Sequence, residues 1–323
     1  MAATVLVTAI GSMSAECVLR SLSSCQGIRV LGSDLHPASW LTTASLVQGF
    51  YQLPSARQEQ EYIESMLRIC RQESVSHLMP LTDLEVDVIS GCRERFLELG
   101  VTVCLPTADC VEVCRDKLKL HDHFSDVAGV RVIPSCPLPQ WHGLGVGFPL
   151  LAKPRKGRSS EGVVKLEGEQ DVVHLLRRDH NHDYIVQPYY PGSVHVVDVV
   201  RCALSASCSL VCRKELIRTS NGAGLSVALH HDAALRGQAE LVAQRLDVQG
   251  GICMEFLEYA GEYFLMDVNP RFSAGVVFSN MAGYDMVLNA LRCFAGGGID
   301  SAVAYPEMVI ARGYYQRITS GGE

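Results

Sequence analysis

Asp267, Asn269 and Arg271 alternate along one apolar run, Tyr263-Phe264-Leu265-Met266-Asp267-Val268-Asn269-Pro270-Arg271, and a second run from Ile252 to Leu257 carries Glu255. The polar stretch Glu258-Tyr259-Ala260-Gly261-Glu262 joins them, so the segment reads as a β-hairpin. Residues two apart in a strand share a face. Asp267 and Asn269 therefore point the same way, with Glu255 facing them across the ladder. Oxygen ligands of this kind suit Mg²⁺, which is held by one or two carboxylates while substrate phosphates and water complete its shell. Mn²⁺ shares that taste for hard ligands. Arg271 adds a guanidinium whose fork grips phosphate oxygens.

A second constellation lies upstream. Phe148 to Pro154 reads as a strand that brings Lys153 to its end, and Arg155-Lys156-Gly157-Arg158-Ser159-Ser160-Glu161-Gly162 follows as a polar loop. Glycines at both ends, the hydroxyls of Ser159 and Ser160 and spare backbone N–H groups let such a loop fold over phosphates. Its cations, Lys153, Arg155, Lys156 and Arg158, oppose the acidic balance of the chain. It is not a Walker loop, because G-x-x-x-x-G-K-[ST] is absent. Tyr184 to Gly192 is a strand breaking into a proline-bracketed hinge. There Gln187, Pro188, Tyr189 and Tyr190 set apolar surface beside backbone donors and acceptors, a setting for adenine.

Positioning these groups requires two kinds of sheet. Residues 4–9, 28–34 and 77–81 read as strands separated by helical spacing at Ala15 to Leu22 and at Tyr62 to Cys70, and one helix is expected through Val86, Ile89 and Phe96. That alternation is the signature of a parallel sheet, whose ligands collect at the carboxyl ends of its strands. Gly11, Ser12, Asp34, Thr82, Asp83 and Glu85 are expected around one cleft there. Asp34 stands where a ribose-binding acid would lie, although an acid closing a strand is more often a turn residue or cap. The missing G-x-G-x-x-G disfavours a nicotinamide-dependent oxidoreductase. From about Cys114 the texture changes: Lys117 to Phe124 is helical, Gln140 to Gly147 a surface loop, and Val163 to Leu166 a return strand. Val196 to Val200 and Ser209 to Arg213 read as antiparallel strands, Asn221-Gly222 as a turn, and Asp232 to Leu246 as an amphipathic helix.

The 323 residues allow two or three domains, and 48% hydrophobic residues support sizeable cores. With 28 basic against 35 acidic residues the net charge is −7, spread without long single-sign runs. A nucleic-acid or anionic-membrane surface is thereby disfavoured. Thirteen cysteines occur singly inside apolar runs, as buried free thiols in a reducing compartment do. Cys110 and Cys114 could share a helix face but lack companions for a zinc site. With neither a leader-like start nor a membrane-length apolar run, the expected location is the cytoplasm.

In their order, Cys114-Arg115-Asp116-Lys117, Phe148 to Gly162, Val186 to Gly192 and Met254 through Arg271 resemble an ATP-grasp ligase, in the carbamoyl-phosphate-synthase-like branch that includes amino-acid ligases. The resemblance implies an α/β and α+β chain. Residues 1–113 would form an N-terminal parallel-sheet, Rossmann-like pre-ATP-grasp domain. Residues 114–190 would form the small lobe with the glycine-rich flap, and 191–323 the large lobe with the metal site. It implies that Lys117 and Lys153 hold ATP phosphates, that Gly157, Ser159, Ser160 and Gly162 belong to the flap, and that Gln187, Pro188, Tyr189 and Tyr190 form the adenine hinge. It further implies Glu255, Asp267 and Asn269 as metal ligands and Arg271 as the cation on the transferring phosphoryl. Family members carry glutamates in the hinge and after the Pro-Gly turn; Pro188 and Ser193-Val194-His195 stand there, leaving His195 or Asp198 for the ribose. Arg218 is a candidate for the substrate carboxylate or acyl phosphate. The implied activity is ATP-dependent amide formation between a small carboxylate and an amine, releasing ADP, in a chain compatible with a homodimer. Carboxyphosphate or carbamoyl chemistry and a non-catalytic nucleotide-binding module are the alternatives.

Overall fold

The computed structural model describes residues 3–157, 161–178, 183–301 and 304–320. Five parallel strands form the first sheet: β1 (Ala3–Val7), β2 (Ile28–Asp34), β3 (Gly49–Gln52), β4 (His77–Met79) and β5 (Thr102–Val103), in the order β3-β2-β1-β4-β5. Between them run α1 (Ala15–Ser24), α2 (Glu59–Gln72), α3 (Asp83–Gly91) and α4 (Arg93–Leu97). The strand order reverses between β1 and β4, which opens a crevice beyond their carboxyl ends. Gly11 to Ser14 and Leu81 to Asp83 leave the sheet there. β3 and β5 were not legible as strands because each is very short. The single helix expected through Phe96 is two, broken at Cys92, whose backbone leaves the helical region at φ −129° and ψ 26°.

Asp116 caps α6 (Lys117–Phe124) by accepting from the N–H groups of Leu118 and Lys119, and so fixes Lys117 in the first turn. α5 (Ala108–Arg115) immediately precedes it, with the Cys110 and Cys114 sulfurs 3.9 Å apart on one buried face. A four-stranded antiparallel sheet follows, β6 (Cys136–Pro137), β7 (Leu150–Pro154), β8 (Val164–Leu166) and β9 (Tyr184–Pro188), in the order β6-β9-β7-β8, with α7 (Glu169–Arg178) packed on it. The largest sheet contains β10 (Ser193–Cys202), β11 (Ser207–Arg218), β12 (Gly224–Leu229), β13 (Gly250–Tyr259), β14 (Glu262–Asn269) and β15 (Met308–Ala311), in the order β14-β13-β10-β11-β12-β15.

The two faces of that sheet differ because side chains alternate along each strand. Val197, Val199, Cys212, Met254 and Phe256 pack with Leu235, Ala239 and Val242 of α8 (Ala233–Arg245), the helix capped by Asp232. On the other face, Val200 and Val211 join the core that holds α9 (Val276–Met281), α10 (Met286–Phe294) and α1. Val196, Arg213 and Glu255 share this second face, since Val196 pairs with Arg213 on one side and Glu255 on the other. Among the described residues no helix is long and apolar enough to cross a membrane, and the cysteines are free thiols.

Phe256 is fully buried between β13 and α8. Phe256→Ala should lower the unfolding free energy by about 3–5 kcal/mol in urea titrations, whereas Leu97→Ala at an exposed position should shift it by less than about 0.5 kcal/mol.

Candidate active site

Where the carboxyl ends of β1 and β4 meet the second face of the large sheet, a cavity of about 580 Å³ opens. Lys117, Lys153, Gly157, Arg218, Glu255, Asp267, Asn269 and Arg271 line it, together with Ser12, Ser14, Thr82, Asp83, Arg213, Glu215 and Ser273 to Gly275. The hairpin supplies its centre. Glu255 lies directly opposite Asp267 in the antiparallel register, and Asn269 is opposite Cys253. A bulge follows Glu255, returning Phe256 and Leu265 to the core facing α8.

Each carboxylate of the pair has a cation. Arg218 Nη2 donates to Glu255 Oε2 at 2.8 Å, while its Nε donates to the Gly222 carbonyl at 2.9 Å. Lys117 Nζ stands 3.7 Å from Asp267 Oδ2 and 3.4 Å from the Gly157 carbonyl. Arg271 Nε and Nη2 grip the two carboxylate oxygens of Asp83, both at 2.8 Å, and Nη2 also reaches Asn269 Oδ1 at 3.4 Å. Arg115 contacts Asp83 as well, at 3.4 Å. Lys153 is buried at the end of β7, and desolvation pulls its ammonium down from the ordinary 10.5 to about 8, against the opposing pull of nearby Asp267.

The donor set fits a divalent cation of the Mg²⁺ kind. Two carboxylates and an amide oxygen line one cavity, all hard oxygen ligands, and among the described residues no group of three or more His, Cys, Asp or Glu is placed to hold a metal ion by itself. Such an open half-shell leaves positions for phosphate and water.

Not every expected residue joins the cavity. His195 lies on the α8 side of β10, one residue out of phase with Val196, where its Nδ1 meets His230 at 2.9 Å and its Nε2 meets Glu258 at 2.9 Å. Asp198 is on the cavity side but is buried under Arg213, Ser273 and Ser279. Gln187 donates to Ser135 Oγ at 2.6 Å, and Pro188 pairs with Leu150 within the small sheet. Tyr189 N–H bonds the Pro149 carbonyl, and the Tyr190 ring stacks on Tyr259 at 4.4 Å. These hinge residues border the cavity-lining strands without lining it themselves. Arg155 is occupied by Asp116 at 2.6 Å rather than by the cavity. Gly157 and Glu161 line the cavity, and Gly162 has a left-handed φ of 73° with Pro154 and Tyr184 close enough to exclude a Cβ. Ser159, Ser160 and Arg158 lie outside the described residues. Asp34 accepts from the N–H groups of Gly11 and His36, as a turn residue does. Glu85 is buried among Thr8, Tyr62 and Thr82.

Arg213 and Glu215 escaped the sequence reading. Their signal was a charge embedded in the run Leu210-Val211-Cys212-Arg213 and repeated two residues later on the same face.

Residues 5–104 match the family model described as PylC-like, N-terminal domain, and residues 180–314 match the one described as ATP-grasp in the biosynthetic pathway with Ter operon. The C-terminal part of the chain is thus similar to an ATP-grasp family and the N-terminal part to a PylC-like domain. Solved structures share its fold. The biotin carboxylase domain of Hydrogenobacter thermophilus 2-oxoglutarate carboxylase, in complex with MgADP, ADP and bicarbonate, superposes with a TM-score of 0.78 at 17% identity over 94% of this chain and 72% of that one. Staphylococcus aureus N5-carboxyaminoimidazole synthetase complexed with ADP gives 0.75 at 13% identity, over 94% and 80%. Rhizobium etli pyruvate carboxylase gives 0.76 at 16% identity over 93% of this chain, which spans 29% of that much longer protein. No curated protein matches the sequence.

The depressed Lys153 has a consequence for stability. Below pH 8 the folded chain carries a buried charge that the unfolded chain holds in water; between about 8 and 10.5 only the unfolded chain keeps the proton, so this group makes stability rise with pH across that window. Lys153→Met should therefore stabilise the ligand-free protein at pH 7, by up to about 3 kcal/mol more than it does above pH 10.5, in urea unfolding of both proteins.

Proposed function

We propose that this chain is an ATP-dependent carboxylate–amine ligase that activates a small acid as its acyl phosphate and releases ADP and phosphate. One observation carries the reading: Glu255, Asp267 and Asn269 face one cavity with Lys117, Lys153, Arg218 and Arg271. A volume of about 580 Å³ is in the range of small-molecule sites.

The roles follow from charge and position. Lys117 and Lys153 approach Asp267 from the α6 and β7 sides and would hold the phosphate chain between them. Glu255, Asp267 and Asn269 would hold Mg²⁺, with Mn²⁺ able to replace it. A metal held there would supply positive charge against the charge developing on the transferring group. Arg271, held rigidly by Asp83, faces the same space and would stabilise that phosphoryl group. Arg218 would orient the attacking carboxylate through its guanidinium fork. The carboxylate oxygen attacks the γ-phosphorus, the bond to the β-phosphate oxygen breaks, and ADP leaves with the electron pair. The amine then attacks the acyl carbon and phosphate departs. Gly157 and Glu161, which line the cavity, would help to keep out water that would hydrolyse this intermediate. No nucleophilic side chain is required, because phosphoryl transfer rests on positioning and charge neutralisation.

Bicarbonate is the competing acid, since a structural relative is solved with that anion. Bicarbonate-stimulated ADP release without any organic acid would move the assignment to carboxyphosphate chemistry.

Mg²⁺-dependent ADP release should appear in a screen of amino-acid pairs and other small acids with amines. Asp267→Ala and Arg271→Ala should each lower kcat on the order of a hundredfold or more while the circular-dichroism spectrum is kept. AMP and pyrophosphate as products would overturn the acyl-phosphate route.

A further inference from the structure

β11 forms a second charged wall of the cavity, apart from the phosphate-facing groups. Arg213 is almost completely buried there, 1% exposed, between two carboxylates. Its Nη1 donates to Asp198 Oδ2 at 2.5 Å and its Nε to Glu215 Oε1 at 3.3 Å. One positive charge thus faces two negative ones. Asp198 spends its capacity on Arg213, Ser273 and Ser279. Glu215 does not: its side chain is 3% exposed, and its Oε2 accepts no hydrogen bond from any of the described residues. A buried carboxylate oxygen without a donor is costly, and native proteins seldom leave one so unless something else supplies the donor.

The surroundings favour a ligand as that donor. Glu215 lines the cavity itself, and Gly224 beside it keeps the space open, because a Cβ there would lie 2.4 Å from Glu215 Oε2. Nearby Arg218 is already committed to Glu255. This end of the cavity therefore offers a spare carboxylate acceptor among otherwise paired charges, whereas Lys117 and Lys153 outnumber Asp267 at the other. The two ends of the cavity thus differ, one suited to phosphates and the other to a hydrogen-bond donor.

We propose that Glu215 recognises the amine substrate, its Oε2 accepting a hydrogen bond from the ammonium or amino group of a cationic primary amine such as the α-amino group of an amino acid. This assignment rests on the ligase reading. It makes Glu215 a determinant of which nucleophile is taken, with no part in activating the acid.

Hydroxylamine, small and uncharged near neutral pH, separates the two. The wild type, Glu215→Gln and Gly224→Ala would each be given ATP, Mg²⁺ and the standard amino acids as acids, first with hydroxylamine and then with amino acids as amines, following ADP and hydroxamate or dipeptide. The expected result is unchanged hydroxamate formation and unchanged KM for ATP in both variants, with KM for the amino-acid amine raised roughly tenfold or more. Gly224→Ala displaces the same carboxylate without removing its charge, so it tests the assignment should Glu215→Gln not fold. An amine KM unchanged in the folded variants, or hydroxamate formation lost together with dipeptide formation, would overturn the assignment. A wild type that releases no ADP with any pair would instead overturn the ligase reading, and the assignment with it.

Discussion

The antiparallel register that sets Glu255 against Asp267 is the constraint around which the rest of the site is arranged. Two carboxylates brought together in a partly buried place repel each other and lose hydration, so each needs a cation close by. Arg218 arrives from β11 and Lys117 from α6, elements distant in sequence and on either side of the hairpin. The cations in turn are held by acids, Arg271 by Asp83 and Arg213 by Asp198. The result is a cavity dense in charge but close to balanced, which can stay folded before any anion enters. A triphosphate with its metal would then replace these internal pairs with new ones of the same kind.

The bidentate bond between Asp83 and Arg271 spans 188 residues and joins the two halves of the fold. Asp83 opens α3 at the carboxyl end of β4, at the point where the order of the parallel sheet reverses. Arg271 ends the metal-facing hairpin. Linking them brings the crevice of the first sheet against the charged face of the largest one, so residues from Ser12 to Ser14 face residues from Ser273 to Gly275 across one space.

Much of this was legible in the sequence where the signal is local. The hairpin announces itself through period-two alternation about a glycine-bearing turn, and the helix from Lys117 through its spacing, whereas a role for Lys117 came only with the family resemblance. Faces of buried strands were harder. Valines stand on both faces of β10, so nothing local says that Val196 and not His195 meets the cavity; the packing of α8 decides it. In the hinge, Gln187 turns to Ser135 and Tyr190 to Tyr259, side-chain partners set by tertiary structure that its composition could not reveal. Arg213 and Glu215 were passed over because charges in an apolar strand are meaningful only once their distant partners, Asp198 and Ser273, are known.

The central claim is that the hairpin and the two lysines receive a metal–triphosphate. A crystal grown with a non-hydrolysable ATP analogue and Mn²⁺, with data collected at the manganese edge, tests it most directly. An anomalous peak within coordination distance of Glu255, Asp267 and Asn269, with phosphate density between Lys117 and Lys153, is the expected result. Manganese elsewhere, or a nucleotide bound away from these lysines, would contradict the account.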